Sequence, residues 1–428
     1  MNIESERVFA LASFLPFTKS LSQNRFLKAV RHSFFAILPF LLAVSFLDVL
    51  INLILNPTGF VMGETGLNIG KFLTGVSGAD YLSHPFVAIM NELNRMVGLG
   101  YGLLSMIFTM SLSRRLAEIW NADTLMTSLC ALCAFLFLIP AASGDGEFVD
   151  YIAGRRFLPA FLVAVIASYI YAYVSKTKIC LYEPLPHLPK NLSKFYTAAL
   201  PVTLTMVALA FLSIIAGGVA EFFLNFLAKT IPDSFWQNPF VAFSYQGIIG
   251  LLWWLGFPGY GFVTNIEEIA YVPAQLSNQS GETAYIFTSG FFESSALHIM
   301  GLIIAIFVFS KHGNWRKVAL IALPCAVFNI QDPIMFCLPV ILNPVFFIPY
   351  IIAPIANAAL GYIAILWGVV PVFTEVVPWT MPMIFSGSLG TGSYMGGALQ
   401  VASLVMDIFI YAPFVITANM LEFGEGEK

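Results

Sequence analysis

The sequence predicts an all-helical polytopic membrane protein with about ten transmembrane helices and re-entrant hairpins. Three observations predict it. The 428 residues are 58% hydrophobic and 15% aromatic but only 10% charged, where soluble domains carry roughly 25% charged residues. Several windows hold the about 20 apolar residues that a helix needs to cross hydrocarbon. Lys and Arg gather in the short polar stretches between those windows, as they do beside membrane spans.

In chain order, the windows lie near 33–55, 94–113, 124–142, 157–174, 196–227, 239–256, 296–310, 345–370 and 398–420, with an interrupted apolar stretch at 318–342. The first is too long for the hydrophobic region of a cleavable leader, so insertion is expected to begin with this span. Lys19, Arg25, Lys28 and Arg31 precede it and place the N-terminus in the cytoplasm. Arg114 and Arg115 follow the second window, Lys176, Lys178, Lys190 and Lys194 the fourth, and Lys311, Arg316 and Lys317 the seventh. The loop 143–154 carries Asp145, Glu147 and Asp150 without a base, and the glycine-rich loop 56–87 is nearly free of bases, so both read as external.

Counting crossings exposes a parity conflict. Six simple spans bring the chain inside near 257, and a seventh would leave Lys311 outside. The segment 256–295, with Gly256, Pro258, Gly259, Gly261 and Pro273, is therefore expected to be broken or re-entrant, a conformation tolerated at membrane depth where protein lines a cavity. Two more interruptions follow, at 324–344 and at 371–397, both rich in proline and the second also in glycine. Their clustering divides the chain into an N-terminal half over 1–235 and a C-terminal half over 236–428, and places the binding site in the second.

Chemistry in that second half is sparse and acidic. From Val318 to Glu427 there is no Lys or Arg, while Asp332, Glu375 and Asp407 sit among apolar residues. A charged side chain at the bilayer centre costs about 3 kcal/mol even on insertion scales, so such acids face a cavity or a partner. With no base nearby in sequence, a neutral ligand rich in hydroxyls suits them, and Trp or Tyr faces would cover its rings.

The run Phe328-Asn329-Ile330-Gln331-Asp332-Pro333, with Phe336, Leu338-Pro339 and Leu342-Asn343-Pro344 behind it, resembles the N-I-x-E-P-x-x-F-G-x-P motif and later N-P of a known family. That family is the lactose, cellobiose and diacetylchitobiose branch of the IIC permeases of the bacterial phosphotransferase system. Val377-Pro378-Trp379-Thr380, with Pro382 and Ser386-Gly387, is similar to the family's V-P-W-T-x-P segment, and Leu27–Pro39 and Lys190–Pro201 follow its spacing. Two positions depart from the pattern. Asp332 stands where the family has glutamate, one methylene longer, and in Leu255-Gly256-Phe257-Pro258-Gly259 the proline stands where the family's G-I-H-G has histidine. Proline neither accepts a proton nor donates a side-chain hydrogen bond.

The resemblance implies a multi-pass protein of the bacterial inner membrane, a homodimer whose half 1–235 is the scaffold and dimerisation unit and whose half 236–428 moves a β-linked disaccharide of the cellobiose or diacetylchitobiose type in an elevator-like step. A cytoplasmic IIB protein would deliver phosphate, and any phosphotransfer would depend on that partner. The family's histidine and glutamate bind the sugar near its 6-hydroxyl, so Pro258 removes one positioning group from that transfer. Two other readings stay open: a sugar sensor feeding a signalling domain, and a facilitator that works without phosphorylation.

Asp332, Asn329, Trp379, Thr380, Asn343, Gly259, Tyr260 and Trp253 are the candidate sugar-binding residues. Four of them have a structural alternative. Asp332 before Pro333 suits a helix N-cap, Asn329 and Asn343 suit turns, and Trp379 suits an interfacial anchor. No residue is expected to be catalytic, and no cofactor is expected. Cys130 and Cys133 form a lone C-x-x-C on an apolar run, which reads as core packing rather than zinc binding. His32, His84, His187, His298 and His312 show no metal-site spacing, and His298 reads as a core histidine. Glu267 and Glu268 read as solvated. Nothing basic and aromatic is interleaved as nucleic-acid binding requires.

Overall fold

The computed structural model describes residues 20, 23–55, 57, 61–63, 67–138, 157–177, 180, 190–331, 334–335, 338, 340–377 and 381–425. The acidic loop 143–154 lies outside them, as do Asp332, Pro333, Trp379 and Thr380. The described residues form helices and no strand. In order these are α1 (Arg25–Val49, continued by a π-helical turn Leu50–Leu55), α2 (Ile69–Thr74), α3 (Ala79–Leu82), α4 (Pro85–Ile119), α5 (Thr124–Phe137), α6 (Phe157–Val174), α7 (Lys190–Thr230) and α8 (Asp233–Trp236). Then come α9 (Pro239–Leu255), α10 (Gly259–Ile266), a π-helical turn (Glu267–Tyr271), α11 (Val272–Ser280), α12 (Ser289–Ser295), α13 (Ile299–Phe309), α14 (Gly313–Val327), α15 (Pro344–Leu366), α16 (Phe385–Thr391) and α17 (Tyr394–Glu425).

Among the described residues, six stretches are long and apolar enough to cross a bilayer: Arg25–Val44, Phe157–Val174, Thr197–Val219, Ser289–Phe309, Pro344–Leu366 and Tyr394–Asn419; α5 and α9 are shorter apolar helices. Large apolar side chains on these helices face outward, among them Ile214, Phe222 and Phe409. The protein is an all-helical, multi-pass membrane protein. Helix ends follow local chemistry. Asn238 and Asn343 each precede a proline and accept from the N–H of the new helix's second residue, the first N–H it has, at 2.9 Å in both cases.

The chain forms two compact units. One holds residues 23–41 and 96–227. Its core stacks Phe34 on Phe108 at 4.1 Å, with Phe157 edge-on to Phe108 at 5.8 Å. The buried Cys130, Ala131, Ala134 and Ala167 fill the contact of α5 with α6, where small side chains let helix backbones approach. Thr109, Ser113 and Ser168 turn their hydroxyls onto the carbonyl four residues back, which satisfies them without water.

The other unit holds residues 42–95 and 228–428. Its core is aromatic: Phe287, Phe291 and Phe292 meet Tyr271, Tyr245 and Tyr362, with Phe287 stacked on Tyr362 at 5.3 Å. Helix α15 packs against α9, and α17 packs against α13, α15 and α16. Between the first two long helices, Gly70 lies against Tyr81, joining α2 to α3. The break expected at 256–295 is present. Gly256 ends α9 at φ 91, and α10, the π turn and α11 follow as short pieces before Gly281 turns the chain towards α12. Glu267 and Glu268 lie in that π turn.

Candidate functional site

The second unit's interrupted segments converge on one narrow cleft. Gly290, Glu293 and Ser294 come from α12, Asn329 from the turn after α14, Phe373, Glu375 and Val377 from an extended stretch, and Ser386 and Gly390 from α16. The space is about 20 Å³, enough for a single water. Its polar lining is two carboxylates, one amide and two hydroxyls, with Phe373 as an apolar wall. Among the described residues no Lys or Arg lines it.

Backbone carbonyls and amides in such irregular segments must be satisfied from within the protein. Buried amide side chains do this. Gln275 donates to Phe373 O at 3.2 Å and accepts from Gly290 N at 3.2 Å, tying α11 to two walls of the cleft. Asn278 donates to Phe373 O and Tyr285 O, both at 2.8 Å. Gln400 on α17 accepts from Ile384 N at 2.6 Å and Gly387 N at 2.9 Å, and donates to Ser294 Oγ at 2.9 Å and Ser386 Oγ at 2.8 Å. Thr374 N and Glu375 N donate to Gly390 O at 2.9 and 3.1 Å, joining the extended stretch to α16. Outside the spans, Asp233 Oδ2 accepts from Tyr285 Oη at 3.0 Å, which holds the phenol above its ordinary pKa.

Of the sequence-derived residues, Asp332, Trp379 and Thr380 lie outside the described ones, and the other five are dispersed. Asn329 lines the cleft, adopts φ 63, and donates from Nδ2 to Met381 O at 2.6 Å. Tyr260 places its hydroxyl 3.4 Å from Phe292 O, one residue before Glu293, and 3.4 Å from Gln246 Oε1. Gly259 packs against α9 so tightly that a Cβ there would lie 2.6 Å from Ile249 O. Trp253 is buried with its indole N–H unpartnered. Asn343 caps α15, and its carbonyl accepts from Trp254 Nε1 at 2.8 Å. Trp253, Gly259, Tyr260 and Asn343 do not line the cleft. Pro258, buried at φ −69, caps the start of α10 without a side-chain hydrogen bond.

Glu293, Ser294, Gln275, Asn278 and Gln400 were not singled out by sequence reasoning. Gln400 carried a signal, a lone amide amid Leu399, Val401 and Ala402. Gln275 and Asn278 sit in a polar stretch where buried and exposed amides look alike.

Residues 31–354 match the family model described as "Phosphotransferase system, EIIC". The oligo-beta-mannoside-specific EIIC component of Bacillus subtilis (strain 168) is 24% identical, over 98% of this chain and 95% of its own. The lactose-specific EIICB component of Staphylococcus aureus (strain N315) is 28% identical, over 96% of this chain and 72% of its own. The crystal structure of the transporter ChbC, the IIC component of the N,N'-diacetylchitobiose-specific phosphotransferase system, superposes with a TM-score of 0.54 at 19% identity, covering 98% of this chain and 99% of that one.

Proposed function

The chain belongs to the EIIC family of the phosphotransferase system, and from that premise we propose that it carries a β-linked disaccharide of the cellobiose or diacetylchitobiose type through the cleft of its second unit. One observation carries the reading: the cleft presents carboxylates, an amide and hydroxyls without a base. A neutral sugar donates to the acids and accepts from the amide, whereas an anionic substrate meets two carboxylates and no base to offset them. The curated relatives are named for oligo-beta-mannoside and lactose, and the solved one for diacetylchitobiose, so all three carry glycosidic sugars.

A space of about 20 Å³ does not hold a disaccharide, so transport requires the walls to part. In this reading Asp332, Trp379 and Thr380 join Asn329 on the sugar, while Trp253, Gly259, Tyr260 and Asn343 shape the surrounding segments. The protein works as a homodimer with its N-terminus cytoplasmic, moves its carrying unit in an elevator-like step, and meets a IIB partner on the cytoplasmic side. A second reading, a facilitator that works without phosphorylation, is favoured by Pro258, which holds a helix start and offers no proton-accepting group.

The experiment is calorimetric titration of the purified protein with cellobiose, diacetylchitobiose and lactose, beside Asp332→Asn. Binding of one disaccharide, weakened in the variant, is the expected result. Equal affinity in both proteins removes Asp332 from the site, and no binding of any disaccharide removes the substrate class. Sugar uptake into vesicles with and without phosphoenolpyruvate and IIB separates the permease from the facilitator.

A further inference from the structure

Asp407 lies within α17 and is 1% exposed. Its Oδ2 accepts from Asn357 Nδ2 of α15 at 3.0 Å, and the same Nδ2 donates to Ser295 O of α12 at 3.2 Å. Two atoms of this group are left over. Asp407 Oδ1 and Asn357 Oδ1 are both buried and have no hydrogen-bond partner. On an ionised acid both are acceptors, and neither can satisfy the other.

Among the described residues no salt bridge reaches Asp407. No Lys or Arg occurs from 318 to 427. The basic residue tied to this helix is Lys311, whose backbone N–H donates to Asn419 Oδ1 at 2.9 Å. Asn419 is twelve positions beyond Asp407, about 18 Å along the helix. The helices packed on α17 carry Glu293 on α12, His298 before α13, and Tyr350 and Tyr362 on α15, while α17 itself carries Tyr411. His298 is engaged elsewhere, with Nδ1 2.8 Å from Tyr411 Oη. On the α13 side the contact is closed, because a Cβ built on Gly301 runs into Asp407 Cβ.

We propose that Asp407 carries a proton in the folded protein and forms a two-bond acid–amide pair with Asn357. Asn357 Nδ2–H donates to Asp407 Oδ2, and Asp407 Oδ1–H donates to Asn357 Oδ1. One proton taken from water makes the balance, no other bond changes, and both orphan acceptors are satisfied at once. The pair joins α15 to α17 and, through Ser295 O, to α12, whose neighbouring Glu293 and Ser294 line the cleft. Asp407 is thus a positioning residue, and the proposal stands whatever sugar is carried.

Infrared spectroscopy tests it directly. The unaltered protein at neutral pH, labelled with carboxyl-13C aspartate, is expected to show a protonated carboxylic carbonyl band that shifts with the label and again in D2O. In Asp407→Asn that band is lost, while the melting temperature stays within a few degrees, since amide and neutral acid share one shape. Asp407→Leu, which keeps neutrality but removes both bonds, melts lower and is rescued by asparagine. A labelled protein with no protonated aspartate band overturns the proposal without recourse to any variant. So does an Asn variant that loses only ionised carboxylate intensity.

Discussion

Gln400→Leu removes an amide that makes five hydrogen bonds at the cleft, and its cost follows from which partners are left behind. The backbone N–H groups of Ile384 and Gly387 lose their acceptor, and Ser294 and Ser386 lose a donor. A buried polar group without a partner costs about 1–3 kcal/mol. Two backbone donors set an upper bound of about 6 kcal/mol. Taking about 1–1.5 kcal/mol for each of the two, at the lower end of that range because the wall relaxes around them, gives an expected loss of about 2–3 kcal/mol. Ile384 sits at φ 76, a region that β-branched residues avoid, so hydrogen bonding rather than backbone preference keeps it there. Leucine matches glutamine in size, which isolates the polar loss from cavity formation. Hydrogen exchange over peptides spanning 381–392 reads the local opening, expected to accelerate by roughly 30- to 150-fold. Exchange within about twofold of the unaltered protein would refute the claim that Gln400 holds this wall.

Three further expectations follow from single contacts. Asn329→Ala forfeits the bond to Met381 O and places a Cβ-bearing residue without a side-chain hydrogen bond at φ 63; it should lose about 1 kcal/mol more stability than Asn329→Gly, and equal melting temperatures would show that φ is no constraint there. Gly301→Ala drives a methyl into Asp407 and should lower stability by about 1–3 kcal/mol, measured by thermal unfolding in detergent; an unchanged midpoint means α13 and α17 separate freely. Pro258→His is expected to raise IIB-dependent sugar phosphorylation, and phosphorylation no greater than in the unaltered protein would show that the proline is not what limits transfer.

Much of the architecture was legible because hydropathy acts locally. The window 157–174 coincides with α6, 239–256 with α9 to within a residue, and 345–370 and 398–420 fall on α15 and α17. The interruption at 256–295 was legible for a related reason, since parity of the basic loops and the Gly256–Pro258 run both demanded it. Its internal form was not. Nothing local says that Glu267–Tyr271 winds as a π turn, or that α12 and α13 lie within one apolar stretch from 289 to 309.

Of the cleft's lining, Asn329 and Glu375 were legible in the sequence and Glu293 was not. Asp332, Glu375 and Asp407 stand out because an acid in an apolar run is costly wherever it lies, and two of them, Glu375 and Asp407, occupy the cleft wall and the buried amide contact. The amides that build the cleft stayed hidden, because their partners are distant in sequence and are backbone atoms. Gln275 meets Phe373 across 98 residues and Asn278 meets it across 95. A carbonyl has no residue identity, so no pattern of side chains encodes which one is to be met. That division has a mechanistic consequence. Amides satisfy irregular backbone without adding charge, so the walls around the cleft are joined by neutral bonds worth about 1 kcal/mol each. Neutral bonds of that size break and reform without stranding a bare charge at membrane depth, which is the property that walls too close for a disaccharide need if they are to part.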